Sequence, residues 1–166
     1  ILSVTVDGEE TKTYTYGDEQ WHDLLTAFNG ESITYDAIGN PLTYRGKTLS
    51  WENGRRLSGI TGDGLNVSFT YDADGNRISK NSTEYIYVDG VLVGESDGTN
   101  KTVFLYDENG TKYGFSINDE TYYYKLNLQG DVIGIYDAAG TQVVTYTYDE
   151  WGKILSVTGT LANTVG

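Results

Sequence analysis

The sequence predicts an all-β fold in which repeated antiparallel β-hairpins form a curved or spiralling sheet. The chain has 166 residues, including 15 Tyr and 21 Gly, and aromatic residues make up 13% of it. Tyr is favoured in strands, whereas Gly is favoured in tight turns. A six-residue pattern, Y-D-x-x-G-x, also recurs along the chain. Short strands joined by similar tight turns account for all three observations.

The recurring pattern has the chemistry of a turn that closes a hairpin. Its Asp can accept a hydrogen bond from the backbone N–H two residues later, and its Gly supplies the positive φ that a type I turn with a G1 bulge requires. Its Tyr ends the preceding strand, where the ring can pack on the sheet and the hydroxyl can reach water or a neighbouring carbonyl. The copies are Tyr35, Asp36 and Gly39; Tyr71, Asp72 and Gly75; Tyr106, Asp107 and Gly110; Tyr136, Asp137 and Gly140; and Tyr148, Asp149 and Gly152.

The segments that precede these turns alternate between apolar and polar residues, as half-buried strands do. Residues 67–71, 103–106 and 143–148 show this alternation. Degenerate copies of the pattern begin at Trp51 and Tyr87, between the complete ones. The repeating unit is therefore about 16 to 20 residues long, or two strands and two turns. We expect the motif tyrosines to form a ladder along the stacked hairpins.

One segment departs from this pattern and predicts a short helix near residues 18–29. Its large apolar residues follow the i, i+3, i+4, i+7 spacing of a helix face. These residues are Trp21, Leu24, Leu25 and Phe28. Asp18 is suited to the N-cap, and Asn29-Gly30 is suited to the C-terminal stop. We expect this helix to lie on the sheet through its apolar face.

Charge and composition exclude several classes of function. The chain has 11 Lys plus Arg, 24 Asp plus Glu, a formal charge of −13, one His and no Cys. Without Cys there is no disulfide, thiolate zinc or iron–sulfur site, and one His cannot build a multi-histidine metal centre. Such an acidic surface repels nucleic acid and anionic membranes. No apolar run is long enough to insert in a membrane.

The abundant carboxylates have a structural explanation and a catalytic alternative. Asp72 with Asp74, or Asp149 with Glu150, could act as an acid–base pair on a glycoside. Repetition at turn positions argues against this, because a catalytic pair needs one special environment. The run from Asp72 to Asn76 resembles the start of a calcium loop but has Arg77 where an EF-hand has Gly. We therefore predict no catalytic residue, no cofactor and no metal ligand, and we expect substitution of His22 to affect no activity.

The repeats resemble the YD repeats of the RHS family, which includes bacterial polymorphic toxins, Gram-positive wall-associated proteins and animal teneurins. The resemblance is sharpest in residues 16–41 and 127–153, and it is to the segment just before the RHS core. It implies a β-shell that encloses a C-terminal toxin or effector, secreted or displayed on the surface of a Gram-positive bacterium. The family's D-P-x-G-R-type cleavage motif is absent, because the only proline, Pro41, follows Asn40.

These inferences predict a non-catalytic structural segment that forms part of the wall of an RHS shell. We expect residues 1–166 to be one YD-repeat segment of a larger protein, since the chain begins at Ile1 rather than Met. Its expected partners are the rest of that protein, the C-terminal cargo, and a second copy pairing through exposed strand edges. The alternative is an adhesion module that binds carbohydrate at the cell surface. Its glycan contacts would be Trp21, Trp51 and Trp151.

Overall fold

A computed structural model describes residues 1–8 and 10–165, and the strands along them confirm the predicted all-β fold of antiparallel hairpins. The described residues contain no helix. The chain divides into two compact units, Ile1–Asn81 and Ser82–Gly166, called the first and second units below. Within each sheet, strands that follow one another in the sequence pair antiparallel as successive hairpins.

The first unit contains a small four-stranded sheet followed by longer hairpins. The small sheet has the order β1-β2-β3-β4. Its strands are β1 (Ser3–Val4), β2 (Lys12–Thr15), β3 (Ala27–Phe28) and β4 (Glu31–Ser32). The next five strands pair in sequence order. They are β5 (Thr43–Tyr44), β6 (Lys47–Glu52), β7 (Arg56–Gly62), β8 (Leu65–Tyr71) and β9 (Arg77–Lys80).

The second unit is a regular meander in which each strand pairs antiparallel with the next. Its strands are β10 (Thr83–Val88), β11 (Val91–Ser96), β12 (Lys101–Tyr106), β13 (Lys112–Ile117), β14 (Glu120–Leu126), β15 (Val132–Asp137), β16 (Gln142–Tyr148) and β17 (Ile154–Thr158). The residues after β17 fold back on the sheet, where the Leu161 amide donates to the Val143 carbonyl at 3.2 Å. Leu161 and Val165 pack against the core there.

The core of the second unit is formed by large side chains of neighbouring strands. Its buried members are Phe115, Tyr122, Ile135, Val143 and Val144. Phe104, Phe115 and Tyr122 are direct cross-strand partners, so their rings lie on one face of the sheet. In the first unit the buried apolar side chains are fewer, namely Phe28 and Ile33.

The predicted helix near residues 18–29 is wrong, because the chain returns as a strand too soon for helical turns to form. The Asp18 carboxylate accepts hydrogen bonds from the amides of Gln20 and Trp21, at 2.9 and 2.7 Å, and closes a local turn. By Thr26 the backbone already pairs with β2, since its amide donates to the Thr15 carbonyl at 2.7 Å. Phe28 lies in β3, with its ring edge against Tyr14. The apolar spacing therefore reflects a turn followed by a short strand.

In several hairpins the residue that follows a strand is an Asn, and it pairs with the neighbouring strand as a strand residue would. Asn118 has a φ of 49°. Its amide donates to the Lys101 carbonyl, and its side-chain oxygen accepts from the Lys101 amide, both at 3.0 Å. Asn29 pairs with Thr13, and Asn81 with Ser68, in the same two-bond arrangement. Asn tolerates this left-handed conformation, so it extends the ladder by one pair beyond the strand.

Candidate functional site

The Asp of the recurring pattern organises the turn that follows it. The Asp36 carboxylate oxygen Oδ1 accepts hydrogen bonds from the amides of Ile38 and Asn40, at 3.0 and 2.8 Å. The Gly39 amide donates to the Asp36 carbonyl at 3.1 Å, and Gly39 has a φ of 85°. Asp107, Asp137 and Asp149 likewise accept from the amides two and four residues later.

Hydrogen bonding lowers the pKa of several of these turn carboxylates. The pKa of Asp36 is lowered chiefly by the Asn40 backbone amide, and the pKa of Asp72 chiefly by the Asn76 side-chain amide. The pKa of Asp97, in a related turn, is lowered chiefly by the Asn100 backbone amide. Charge-assisted acceptors of this kind fix the turn in one conformation.

A further turn of the same geometry follows β14, where the sequence has Asn127 instead of Asp. The Asn127 side-chain oxygen accepts from the amides of Gln129 and Asp131, at 3.0 and 2.9 Å. Its Nδ2 donates to the Asp131 carboxylate at 2.9 Å, so the amide and carboxylate have exchanged places relative to Asp72 and Asn76. A search that accepted Asn for Asp, and a residue other than Tyr before it, would have found this copy.

Many of these hairpins carry a β-bulge in the strand after the turn. In β7, Leu57 pairs with Trp51 and Gly59 pairs with Ser50, which leaves Ser58 as the extra residue. Val93 in β11 and Ile133 in β15 are extra residues in the same sense. A bulge interrupts the ladder, so a nearby carbonyl is left to find another donor.

Three of the motif tyrosines supply that donor from the next hairpin, whereas the Tyr35 hydroxyl donates to the Leu25 carbonyl at 2.6 Å, away from any bulge. The Tyr71 hydroxyl donates to the Leu57 carbonyl at 2.9 Å. The Tyr106 hydroxyl donates to Leu92 at 2.7 Å, and the Tyr148 hydroxyl to Val132 at 2.6 Å. In each case the acceptor immediately precedes the extra residue of a bulge. Each of these tyrosines therefore joins its own hairpin to the preceding one.

The Tyr136 copy differs, although its sequence fits the pattern. The turn that follows Tyr136 connects β15 and β16. It lies at the same end of the strands as the turn of the β13–β14 hairpin. That hairpin pairs without a register shift, so it leaves no carbonyl free beside a bulge. The Tyr136 hydroxyl instead donates to the Gln142 side chain at 2.8 Å.

Glycines within the strands complete this arrangement, and their role is not evident in the recurring pattern. Gly59, Gly94, Gly114 and Gly134 each follow the extra residue of a bulge. A Cβ at Gly94 would lie 2.6 Å from the Thr102 carbonyl oxygen, and a Cβ at Gly114 would collide with the Tyr122 carbonyl oxygen. Gly94 and Gly114 therefore permit the close approach of the neighbouring strand. The signal of these four glycines in the sequence is a Gly at the third or fourth position of a strand after a tight turn.

One face of the second unit carries an open depression of about 480 Å³, which we call the aromatic groove. Its lining residues are mostly large and apolar or phenolic, and one of them is acidic. They are Glu95, Thr102, Phe104, Phe115, Ile117, Tyr124, Val132, Ile135, Tyr146, Tyr148, Thr164 and Val165. Burial is the main factor that raises the pKa of Tyr124 to about 12, and it also raises the pKa of Tyr146. Both phenols are therefore protonated at neutral pH.

The three tryptophans named as glycan contacts occupy different surroundings. Trp151 is 88% exposed, in the turn after β16. Trp51 is half-buried, and its Nε1 donates to the Pro41 carbonyl at 2.7 Å. Trp21 is partly exposed, and its ring lies against Gly39. Glycan binding by these residues stays a prediction.

Among the described residues, no group of three or more His, Cys, Asp or Glu side chains could hold a metal ion. Asp72 and Asp149, which belong to the two carboxylate pairs considered above, bond to their own turns. His22 is exposed. No helix in the described part of the chain is long and apolar enough to cross a membrane.

Comparison with known proteins places these features in a family. Residues 127–164 match the family model described as RHS Repeat. The chain is 36% identical over 141 residues to the tRNA3(Ser)-specific nuclease WapA of Bacillus spizizenii, and 35% identical over the same length to the tRNA nuclease WapA of Bacillus subtilis strain 168. Each alignment covers 78% of this chain but only 6% of the relative.

The fold is similar to part of a large solved structure. With a TM-score of 0.56 and 15% identity, 92% of this chain aligns with 10% of a chain in the Photorhabdus luminescens Tc holotoxin pore. At this identity the match speaks for the fold alone. The RHS Repeat match and the WapA relatives confirm the RHS-repeat resemblance found in the sequence.

Proposed function

We propose that this chain, an RHS-repeat segment homologous to the Bacillus WapA proteins, is a non-catalytic element in the wall of an RHS shell. The shell would enclose a C-terminal toxin or effector of the same polypeptide. Residues 1–166 would act as one wall segment of that larger protein.

The link between three of the motif tyrosines and the bulge that precedes each of them is the observation that carries this proposal. Tyr106 and Tyr148 make these links at 2.7 and 2.6 Å. They join consecutive hairpins at one end of the strands of the second unit. Such a link favours a long strip over an isolated hairpin, because each unit completes the hydrogen bonding of its neighbour. A strip of this kind is suited to building a continuous wall.

The nuclease activity in the relatives' names is not proposed for this chain. The chain spans 6% of the length of those relatives. Its repeated carboxylates, such as Asp107 and Asp149, accept hydrogen bonds from their own turns. A carboxylate bound in this way is poorly placed to exchange protons with a substrate.

The proposed location is outside the cell or at its surface, in a Gram-positive bacterium. Both relatives described above come from Bacillus, a Gram-positive genus. The chain has a formal charge of −13, which favours solubility in an aqueous compartment and opposes binding to anionic lipid or nucleic acid.

Protease protection of the cargo tests the wall role. In the full-length parent protein, residues 1–166 are deleted, or replaced by the matching stretch of Bacillus subtilis WapA as a control for length and fold. We expect the deletion to open the shell and make the C-terminal polypeptide sensitive to trypsin, while the replacement preserves protection. Equal protection of the cargo in the deletion variant and the parent would refute the proposal.

The adhesion module remains a second candidate because Trp151 is 88% exposed. A stacked sugar would shift tryptophan emission on titration with cell-wall glycans, and Trp151→Phe would abolish that shift. Trp51→Phe is the control, since its indole already bonds to Pro41. Emission that no glycan alters, in the intact protein or in either variant, would remove this candidate.

We also propose that isolated copies associate through the strand edge of β17. This strand ends its sheet, and Ile154 and Leu155 are 52% and 62% exposed. An unpaired apolar edge offers its amides and carbonyls to a second chain. Light scattering should show a molecular mass that rises with concentration, and Leu155→Lys should suppress the rise. A constant monomer mass across a wide range would refute edge pairing.

A further inference from the structure

Glu95 is the acidic residue of the aromatic groove. It lies in β11, half-buried, where its direct cross-strand partners are Tyr85 and Thr102. No hydrogen bond or ion pair joins its carboxylate to any other residue that the structure describes. A half-buried carboxylate without a partner loses part of its hydration, so a cation brought to it would be bound favourably.

The tyrosine hydroxyls that line the groove beside Glu95 differ in their hydrogen bonding. The hydroxyls of Tyr106 and Tyr148 are bonded to carbonyls, but those of Tyr124 and Tyr146 make no hydrogen bond to the described residues. The negative charge of Glu95 contributes to the raised pKa of Tyr124, which places the carboxylate within electrostatic reach of that ring. A ligand entering the groove would meet one anion, two free hydroxyls and several aromatic faces.

This face already holds one cationic side chain of the protein itself. The Lys112 ammonium nitrogen lies 3.8 Å from the centroid of the Phe104 ring and 5.7 Å from that of Tyr106. Aromatic faces attract cations through the negative potential above the ring. Lys112 makes no ion pair with Glu95, so the carboxylate is left for a second cation.

We propose that the aromatic groove binds a lysine or arginine side chain of the enclosed C-terminal polypeptide. Its charged head would lie against Glu95 and the hydroxyls of Tyr124 and Tyr146, and its aliphatic stem against Ile117 and Val132, which are partly exposed. The groove would thereby anchor a basic segment of the cargo to the wall. The identity of the bound polypeptide rests on the function proposed above, whereas the preference for a cationic side chain does not.

Peptide titration of the 166-residue chain tests this site directly. The probes are a short glycine-flanked peptide with one central lysine and the same peptide with norleucine, which keeps the stem and removes the charge. Binding is followed by NMR shifts of the groove tyrosines. Because the ion pair with Glu95 and the charge-assisted hydrogen bonds to the hydroxyls are both lost with the ammonium, we expect the lysine peptide to bind about tenfold more tightly.

Two matched variants assign the preference to the groove. Glu95→Gln keeps the shape and removes the charge, so we expect it to abolish the lysine preference. Glu84→Gln removes the same charge from β10, where Glu84 is exposed and pairs with Ser96 on the opposite face, so the preference should persist. Two-dimensional NMR spectra of both variants establish that each remains folded.

The outcomes separate the two proposals. Equal binding of both peptides, tighter binding of norleucine, or equal loss in both variants would overturn the cation site. Loss of the preference in Glu95→Gln alone would support it even if the protease experiment failed, in which case the occupant would not be an enclosed cargo. In the parent protein, Glu95→Gln should increase trypsin cleavage of the cargo without opening the shell to deletion-variant levels.

Discussion

The Tyr148 and Tyr136 copies share the same hexapeptide pattern but make different contacts. The Tyr148 hydroxyl donates to the Val132 backbone carbonyl beside a bulge, at 2.6 Å. The Tyr136 hydroxyl donates to the Gln142 side chain at 2.8 Å, because the hairpin on its edge has no bulge. The role of the tyrosine is thus determined by the preceding hairpin, while the Asp turn is the same in both.

The largest loss of stability is expected from adding a side chain at Gly114, which follows the bulge in β13. A Cβ there would collide with the Tyr122 carbonyl oxygen, and neither strand can move away without losing ladder hydrogen bonds. We expect Gly114→Val to lower the free energy of unfolding by about 3 kcal/mol. Urea denaturation measures the change.

A control for the Gly114 variant is substitution of the preceding residue, Tyr113, which is 43% exposed. Tyr113→Val introduces the same side chain one position earlier and should cost much less. If Gly114→Val proved as stable as the parent, the close approach of β13 and β14 would not be a property of the fold.

The next largest effect should come from the turn glycines, which both types of copy require. Gly110 has a φ of 78°, and a Cβ there would point into open space. Because only backbone strain is involved, we expect Gly110→Val to cost about 1 to 2 kcal/mol. Gly75→Val should cost at least as much, since a Cβ there would also lie 3.2 Å from the Arg56 guanidinium.

Thermal unfolding of Gly110→Asn provides the control, because Asn tolerates the left-handed conformation. It should recover most of the stability that Gly110→Val loses. Equal losses in the Asn and Val variants would point to a cause other than a positive φ.

Removing the Tyr148 and Tyr136 hydroxyls in separate variants tests whether their two hydrogen bonds differ in their contribution to stability. Tyr148→Phe leaves the Val132 carbonyl without its donor, so we expect a loss of about 1 kcal/mol. Tyr136→Phe releases a Gln142 side chain that is exposed to water, so the loss should be below about 0.5 kcal/mol. Chemical denaturation of both variants under one set of conditions would show the difference, and equal losses would mean that the bulge does not determine the role of the tyrosine.

The hairpins and their Asp turns could be predicted from the sequence because their causes are local. Asp36 and Gly39 act on atoms within four residues of one another. The different role of Tyr136 could not be predicted, since it depends on a bulge in another hairpin. The false helix arose because the spacing of Trp21 and Phe28 describes side chains only, whereas the pairing of Thr26 with Thr15 decides the backbone.

The aromatic groove could not be predicted from the sequence for a related reason. Glu95 and Tyr124 are brought together by strands far apart in the chain, and no short motif signals their proximity. The turn after Asn127 could have been found, because only the exchange of Asn for Asp concealed it. That exchange also shows that the turn geometry forms without a carboxylate at its first position.

The smallest effect is expected when an amide replaces the carboxylate at the first position of the turn. The pKa of Asp72 is lowered by its hydrogen bonds, so its carboxylate stabilises the fold above the unfolded-state pKa of about 3.9, and the stabilisation is lost as the pH falls through the folded-state value. Asp72→Asn keeps an acceptor for the Asn76 amide, as Asn127 does for Asp131. The variant should melt slightly below the parent at pH 7, and the two melting temperatures should converge at acidic pH. Asp74→Asn is the control, because its carboxylate makes no hydrogen bond to the described residues, and its difference from the parent should not show this convergence. A gap between Asp72→Asn and the parent that stays constant from pH 7 to strongly acidic pH would mean that the charge of Asp72 adds nothing to a turn that an amide closes equally well.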